Sequence, residues 1–500
     1  MIGWVADFFR IAWGLFYWNI RKSWFQMRKG HAPRCPCQNP SDSGRALETA
    51  CEACIGWQAP RRFRHVCPLL VETQEGLRCS ANASEVRPFW PRAFGYYGAS
   101  LASVYLGGAL TFFTFLRLIG YPVNIFHTLW PPAWHHLREV RGDFFLNKAN
   151  QAFAARRTSE GLLYLSNAYE FDPGNYTAGL LFAKNIQLGQ PNYSDSIYQR
   201  LLHEHPEQRA VTAQEWFRVL LARGDYPTIQ RLAREFVVED VPHSSVWMRA
   251  LLFATRQTKS DAPLRELMAS SQPAAKVWRP LLEIEFLAKA DRPDDVRTAL
   301  AQTWSGMPAY SVYYQIETLI DLGESFKALD LLDQYGRRID DEARVTLQLE
   351  AYAQLGARRL LQRQTDLLLG PPPNYPTLKI LAAHLIRHPD QALLDQVYAQ
   401  FVRANFPINS DSAGIYLSLY CAAGVAQDWS KVHAIGGILR RSTGSSFVML
   451  GLMESFFRGD AAETRISAFL PAVPLPLEVI YALLERFPGG SRPALILPKL

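Results

Sequence analysis

The longest uncharged apolar stretch of the chain covers residues 93–116. As a helix, its 24 residues would extend for about 36 Å, which exceeds the roughly 30 Å of a bilayer's hydrocarbon core. Arg92 precedes the stretch and Arg117 follows it, with tyrosine or tryptophan residues near both ends. Charged and aromatic residues in these places are typical of the two membrane interfaces. We therefore predict a transmembrane helix over residues 93–121.

Small residues recur every four positions along one face of this helix. Such a stripe could let a second helix approach closely, which makes self-association through the membrane segment a hypothesis, although stripes of this kind also arise by chance. The stripe consists of Ala99, Ser103 and Gly107.

The first 29 residues show a different pattern, in which polar positions recur at spacings of three, four and seven. That spacing forms a single polar stripe on a helix. Aromatic residues cover the rest of the surface and basic residues follow the apolar run, which favours a helix lying in the membrane interface over a first spanning helix or a cleaved signal peptide. The stripe consists of Asp7, Arg10, Gly14, Tyr17, Arg21 and Arg28.

The net charge of +7 is confined to the first quarter of the chain. Residues 1–137 hold 14 Lys/Arg against 7 Asp/Glu, whereas residues 138–500 hold 39 of each. A basic excess flanking apolar segments indicates membrane topology, and the neutral remainder argues against a nucleic-acid partner. Twelve of the basic residues lie between Arg21 and Arg92, so the positive-inside rule places this segment in the cytoplasm. The 42 Arg against 11 Lys suggest a bacterium, and hence an inner-membrane protein with a periplasmic C-terminal part.

Six of the seven cysteines lie between residues 35 and 79. Cys35 and Cys37 form one close pair, and Cys51 and Cys54 form another, separated by 13 residues. Two such turns can supply four thiolates to a tetrahedral zinc ion, and the bound metal would stabilise a segment too polar to form a core. We predict a zinc-ribbon-like module over residues 30–92, to which Cys67 and Cys79 could contribute a second or variant ligand set.

The compartment decides between the alternatives for these cysteines. In the cytoplasm zinc is favoured over an iron–sulfur cluster, and disulfides are disfavoured. If the topology were inverted, six cysteines would favour three disulfides. The remaining cysteine, Cys421, lies in an apolar helical pattern and is expected to be a small core residue.

Beyond about residue 140 the chain consists of apolar helical patterns interrupted by turns at a regular interval. The successive steps between these turns are 35, 33, 33, 33, 33, 32, 39 and 32 residues. A period near 33 with two helices per unit predicts an α-solenoid. The turns lie at Gly189, Gly224, about Gln257, Ala290, Gly323, Gly356, His388, about Gln427 and Gly459.

This region resembles the tetratricopeptide repeat (TPR) family, whose unit is a helix-turn-helix of 34 residues. The local matches are Ala168 with Pro173, Phe182 with Ala183, Gly224-Asp225-Tyr226 and Ala328. The resemblance implies an all-α, right-handed solenoid of nine to ten degenerate hairpins that bind protein partners. The tryptophans of this region are expected to pack in its core: Trp216, Trp247, Trp278, Trp304 and Trp429.

These patterns divide the chain into six segments. In order they are a membrane-interface helix (1–29), the Cys-rich module (30–92), the transmembrane helix (93–121), a juxtamembrane linker (122–141), TPR-like repeats (142–488) and an irregular tail (489–500).

The sequence contains no nucleotide-binding loop, nucleophile elbow, zinc-protease motif or dinucleotide fingerprint. We therefore expect a protein that is not an enzyme, namely a membrane-anchored scaffold for protein–protein interaction with a structural zinc module. The alternative hypothesis is a redox or metal-handling membrane protein whose cysteine cluster is the active part.

Overall fold

The computed structural model describes residues 70–73, 76–79, 89–258, 260–302, 307–370, 374–443, 448–459 and 465–488. The predicted interface helix, most of the Cys-rich module and the tail lie outside these residues. The chain divides into two compact units, residues 1–147 and residues 148–500.

The first unit contains a two-stranded hairpin and a long helix. Strands β1 (Leu70–Thr73) and β2 (Gly76–Cys79) are antiparallel, with Leu70 opposite Cys79. Helix α1 (Phe89–Ile119) follows, and a short helix α2 (Ile125–Leu129) begins with Asn124 accepting the backbone N–H of Phe126.

Helix α1 is long and apolar enough to cross a membrane over Gly98–Ile119, a span of 22 residues. Its apolar side chains are uncovered in this unit: Leu101 is 71% exposed and Val104 is 74% exposed. Two of its hydroxyl groups are satisfied within the helix, since Thr111 donates to the carbonyl of Gly107 and Thr114 donates to that of Leu110. A helix with internally satisfied polar groups and an apolar surface has the properties that hydrocarbon requires.

The described residues of the second unit form helices joined by turns and loops. The helices of this unit are α3 (His136–Ala154), α4 (Thr158–Phe171), α5 (Tyr176–Ile186), α6 (Pro191–Glu204), α7 (Arg209–Arg223), α8 (Tyr226–Glu239), α9 (Ser244–Thr258), α10 (Ala262–Ala269), α11 (Pro273–Lys276), α12 (Arg279–Lys289), α13 (Pro293–Leu300), α14 (Ala309–Asp321), α15 (Ser325–Tyr335), α16 (Asp341–Gln354), α17 (Arg358–Leu368), α18 (Tyr375–Arg387), α19 (Gln391–Ala404), α20 (Ser410–Val425), α21 (Trp429–Thr443), α22 (Val448–Arg458) and α23 (Leu477–Arg486). Helix α3 crosses the boundary between the two units.

The turns predicted from the sequence coincide with the ends of helices, except that Gln257 is the penultimate residue of α9. Most helices of this unit form pairs in which a first helix, a short turn and a second helix follow one another. Residues with a left-handed backbone conformation recur just after the first helix of such pairs, because this conformation redirects the chain and satisfies the last carbonyls of the helix. Glycine adopts it without strain, whereas other residues do so at a cost. The residues concerned are Arg156, Gly224, Asp291, Gly323, Gly356, Gln427 and Gly459.

The core of the second unit lies between successive helices. Trp216, Trp247 and Trp278 are buried, as expected, and so is Cys421. Trp429 is only partly covered, with the guanidinium of Arg458 4.4 Å from the centre of its ring. Trp304 lies outside the described residues.

The C-terminal helix differs from most helices of this unit, which pack against helices that are adjacent to them in sequence. The C-terminal helix α23 packs against α7, α9 and α18, which lie far from it in sequence. The segment before it approaches α20 closely, because a β-carbon on Gly414 would lie 2.7 Å from the carbonyl oxygen of Pro474. Glycine at position 414 therefore permits this docking.

Candidate functional site

The helical unit contains a cavity of 240 Å³, which we call the central cleft. Residues of α9, α14, α16 and α18 line it, and α23 contributes Glu478. Those four helices are each the first helix of a pair. Apolar lining residues include Val246, Ala309, Tyr310, Ile339, Ala343 and Ile380, and the acidic and basic ones are Arg249, Asp340, Glu342, Arg387 and Glu478.

A bidentate ion pair joins α9 to α23 at the wall of the central cleft. The two terminal nitrogens of Arg249 donate to the two carboxylate oxygens of Glu478 at 2.7 and 2.8 Å. The guanidinium also lies 4.4 Å from the ring centre of Tyr481 and 5.7 Å from that of Tyr313. Planar pairing combined with stacking fixes the guanidinium in one orientation.

The two helices position this pair through their apolar faces. On α9, Trp247, Met248 and Leu251 are buried, which leaves Arg249 directed at the cleft. On α23, Val479 and residues 480–484 are buried, which leaves Glu478 in the first turn, where a carboxylate is favoured by the helix dipole. Burial opposes the charged form of Glu478, but Arg249 outweighs it, so the pKa of this carboxyl lies below its usual value.

A second ion pair, in which the acid is buried, lies two turns further along α9. Arg256 donates to both carboxylate oxygens of Glu285 at 3.0 and 2.9 Å, and the hydroxyl of Tyr314 donates to the same carboxylate at 2.8 Å. Glu285 is 3% exposed, yet it is fully satisfied by these donors. These hydrogen bonds connect α9, α12 and α14 to one another.

Two carboxyl groups on α14 lack such partners. Burial raises the pKa of Glu317 to about 7, and neighbouring Asp321 and Glu485 add to this rise, although Arg256 and Arg249 oppose it. Asp321 is an exposed residue, and partial desolvation together with the neighbouring carboxyl groups of Glu485 and Glu350 raises its pKa. Groups of this kind collect at functional sites more often than elsewhere, because folding alone does not favour them.

The described residues that line this cleft include none of the cysteines predicted to bind metal. Cys35, Cys37, Cys51, Cys54 and Cys67 lie outside the described residues, and Cys79 is described only as the last residue of β2. Cys421 is fully buried in α20, and burial raises the pKa of its thiol well above the usual value. A buried neutral thiol is chemically inert.

The residues of the central cleft were not singled out by sequence reasoning. The repeat period could have indicated the cleft in outline, since the first helices of a solenoid's repeats line one surface, but it does not identify individual lining residues. No family model matches this chain, and neither a curated protein nor a solved structure matches it.

Proposed function

We propose that this chain is a membrane-anchored helical-repeat scaffold that binds a protein partner in the central cleft. The observation that carries the proposal is that the first helices of four pairs, α9, α14, α16 and α18, line one shared cavity. That is the arrangement in which TPR-like solenoids present their binding surface. On this proposal the repeats form a right-handed, degenerate TPR-like solenoid.

The size of the cleft limits what the partner can insert. At 240 Å³ it is smaller than the roughly 300–1,000 Å³ of sites that enclose a small molecule. Helix α23 already occupies a position against α9 and α18, so a whole partner helix has no room there. The partner would insert a few side chains of an extended segment between Tyr310 and Ile380, flanked by the charged lining residues.

The uncovered apolar surface of α1 supports membrane anchoring. We propose that Gly98–Ile119 spans a bacterial inner membrane, with the repeats in the periplasm. The Cys-rich module then lies in the cytoplasm as a structural zinc site held by Cys35, Cys37, Cys51 and Cys54. This assignment rests on the distribution of basic residues.

Site-specific photo-crosslinking in membranes tests the binding role of the cleft. A photoreactive amino acid replaces Val246, which is 40% exposed at the cleft, or Leu163, which is 60% exposed and does not line it. We expect one discrete crosslinked adduct of higher mass from position 246 and none from position 163.

A variant that fills the cleft provides the control for this experiment. Ala343→Trp, placed in α16, should abolish the adduct from position 246, whereas Ala343→Ser should preserve it. Circular dichroism of both variants establishes that the helices persist. An adduct that survives Ala343→Trp, or one of equal yield from position 163, would contradict binding in the cleft.

A further inference from the structure

A compact cluster of histidine and glutamate side chains lies beside the central cleft. His384 lies in the last turn of α18, His388 is the residue that directly follows this helix, and Glu350 approaches both from α16. Nε2 of His388 lies 2.5 Å from Oε2 of Glu350, and Nδ1 of His384 lies 3.6 Å from Oε1 of Glu350. One donor atom from each residue lies within 4.8 Å of the other two.

Two of the donor atoms in this cluster are buried without a hydrogen-bond partner. They are Nδ1 of His384, whose residue is 2% exposed, and Oε1 of Glu350. A buried polar atom without a partner costs about 1–3 kcal/mol, so such atoms need an explanation. Both atoms face each other across a gap too long for a hydrogen bond, and a metal ion would satisfy both.

The charges around the cluster permit a divalent cation. Arg387 brings a positive charge, with a guanidinium nitrogen 3.7 Å from Oε1 of Glu350. That guanidinium is also engaged by Glu485, whose carboxylate oxygen lies 2.8 Å from Nε. Two carboxylates, those of Glu350 and Glu485, therefore flank the one arginine.

We infer that Glu350, His384 and His388 form a binding site for one divalent transition-metal ion, of which zinc fits best. Two imidazoles and a carboxylate are ligands that zinc accepts, with bonds of about 2.0–2.2 Å. Ligands at that distance lie roughly 3.3 Å apart around a tetrahedral ion. His388 lies 2.5 Å from Oε2 of Glu350 and His384 lies 3.6 Å from its Oε1, and one donor atom of each residue lies within 4.8 Å of the other two, so side-chain rotations are needed to bring the three donors around one ion.

The position of the site indicates its role. Glu350 and His384 are 34 residues apart, which is one repeat, so the metal would join equivalent turns of two successive first helices. The side chain of His388 is 41% exposed, which leaves the fourth coordination position open to solvent or to a ligand. The metal would therefore clamp α16 to α18 while keeping one position for exchange.

Metal counting on the full-length protein tests this site. The protein is purified in detergent through a tag without histidine, with serine in place of all six N-terminal cysteines, equilibrated with zinc and analysed by elemental mass spectrometry. We expect about one zinc per chain in this parent and at least a tenfold lower affinity in His388→Gln. Because His388 is half-exposed, its replacement should leave the helical content unchanged.

A chemically matched control exists elsewhere in the same unit. His433 forms a 2.9 Å pair with Glu454, which also binds Arg458, but it has no second histidine beside it. His433→Gln should therefore retain the zinc. With the cysteines intact, the parent should hold one zinc more than His388→Gln. No zinc in the parent, or equal zinc in the parent and His388→Gln, would overturn the inference.

Discussion

Helices α1 and α20 have similar apolar compositions and opposite surroundings. In α1, Val104 is 74% exposed, whereas in α20 Leu417 and Cys421 are fully buried among protein atoms. The 16 residues of α20 extend for about 24 Å, too short to cross a bilayer of about 30 Å, whereas α1 is long enough. Apolar sequence alone thus does not distinguish a membrane helix from a core helix. Length, and the neighbouring helices that cover α20, make the distinction.

Deleting a buried side chain of α20 should have the largest effect. Leu417→Ala leaves a cavity between α20 and the helices packed on it, and should lower the free energy of unfolding of the helical unit by about 2–5 kcal/mol. Thermal unfolding of the detergent-solubilised chain measures this. The matched change in α1, Leu101→Ala, should leave the unfolding of that unit unchanged, because Leu101 is 71% exposed. Equal destabilisation by the two changes would mean that α1 is also a core helix.

A charge placed on α1 should give the next largest effect, and should act on the membrane rather than on folding. Val104→Arg puts a cation near the middle of the predicted span. It should make the free energy of membrane insertion less favourable by about 3 kcal/mol. Alkaline extraction of membranes measures the fraction of chain that is no longer inserted. The variant Val104→Leu should remain fully membrane-bound. Unchanged extraction of the arginine variant would contradict a spanning helix.

Removing the half-buried acid Glu317 should stabilise the helical unit in a pH-dependent way. The pKa of this carboxyl is about 7 in the folded chain, against about 4.3 in an unfolded one. Ionisation of the folded state is therefore opposed, and stability falls as the pH rises between these two values.

Glu317→Gln removes that penalty, so the variant should match the parent near pH 4.5 and exceed its unfolding free energy by about 1–3 kcal/mol at pH 8. Urea unfolding at the two pH values measures the difference. Glu283→Gln, at a carboxyl on the neighbouring α12, serves as the control. A gain of the same size at both pH values would show that the effect does not come from ionisation.

Two glycine substitutions, of opposite expected sign, give the smallest effects. Gly323 has a left-handed backbone and no atom near its missing β-carbon, so Gly323→Ala should cost about 1 kcal/mol through backbone strain alone. Gly451 lies within α22, also in open space, so Gly451→Ala should stabilise by about 0.5–1 kcal/mol. Chemical unfolding of both variants tests whether these repeat turns are set by backbone conformation. If both substitutions raised, or both lowered, the free energy of unfolding, backbone conformation would not be what sets these turns.

The sequence predicted the local order of the helical unit well, because turn residues and apolar periodicity act over a few residues. Gly224, Gly323 and Gly356 end their helices where the period required a turn. The burial of Trp247 and Cys421 followed from the same apolar patterns.

Long-range contacts could not be predicted in this way. Nothing in the residues of α23 indicates that Glu478 pairs with Arg249, 229 positions earlier. The metal-binding cluster left a partial signal, since His384 and His388 have the i, i+4 spacing of two ligands on one helix face. Recognising Glu350 as the third member requires that positions one repeat apart meet in space, which depends on how the helices stack.

The most direct test of the account is the side of the membrane on which each unit lies. In a chain whose native cysteines are replaced by serine, a single cysteine is placed at Leu163, which is 60% exposed, or at Ser41. A membrane-impermeant maleimide is then added to bacterial spheroplasts. The account predicts labelling at position 163 without lysis and at position 41 only after lysis. Labelling of both positions on the same side would contradict a spanning helix between them.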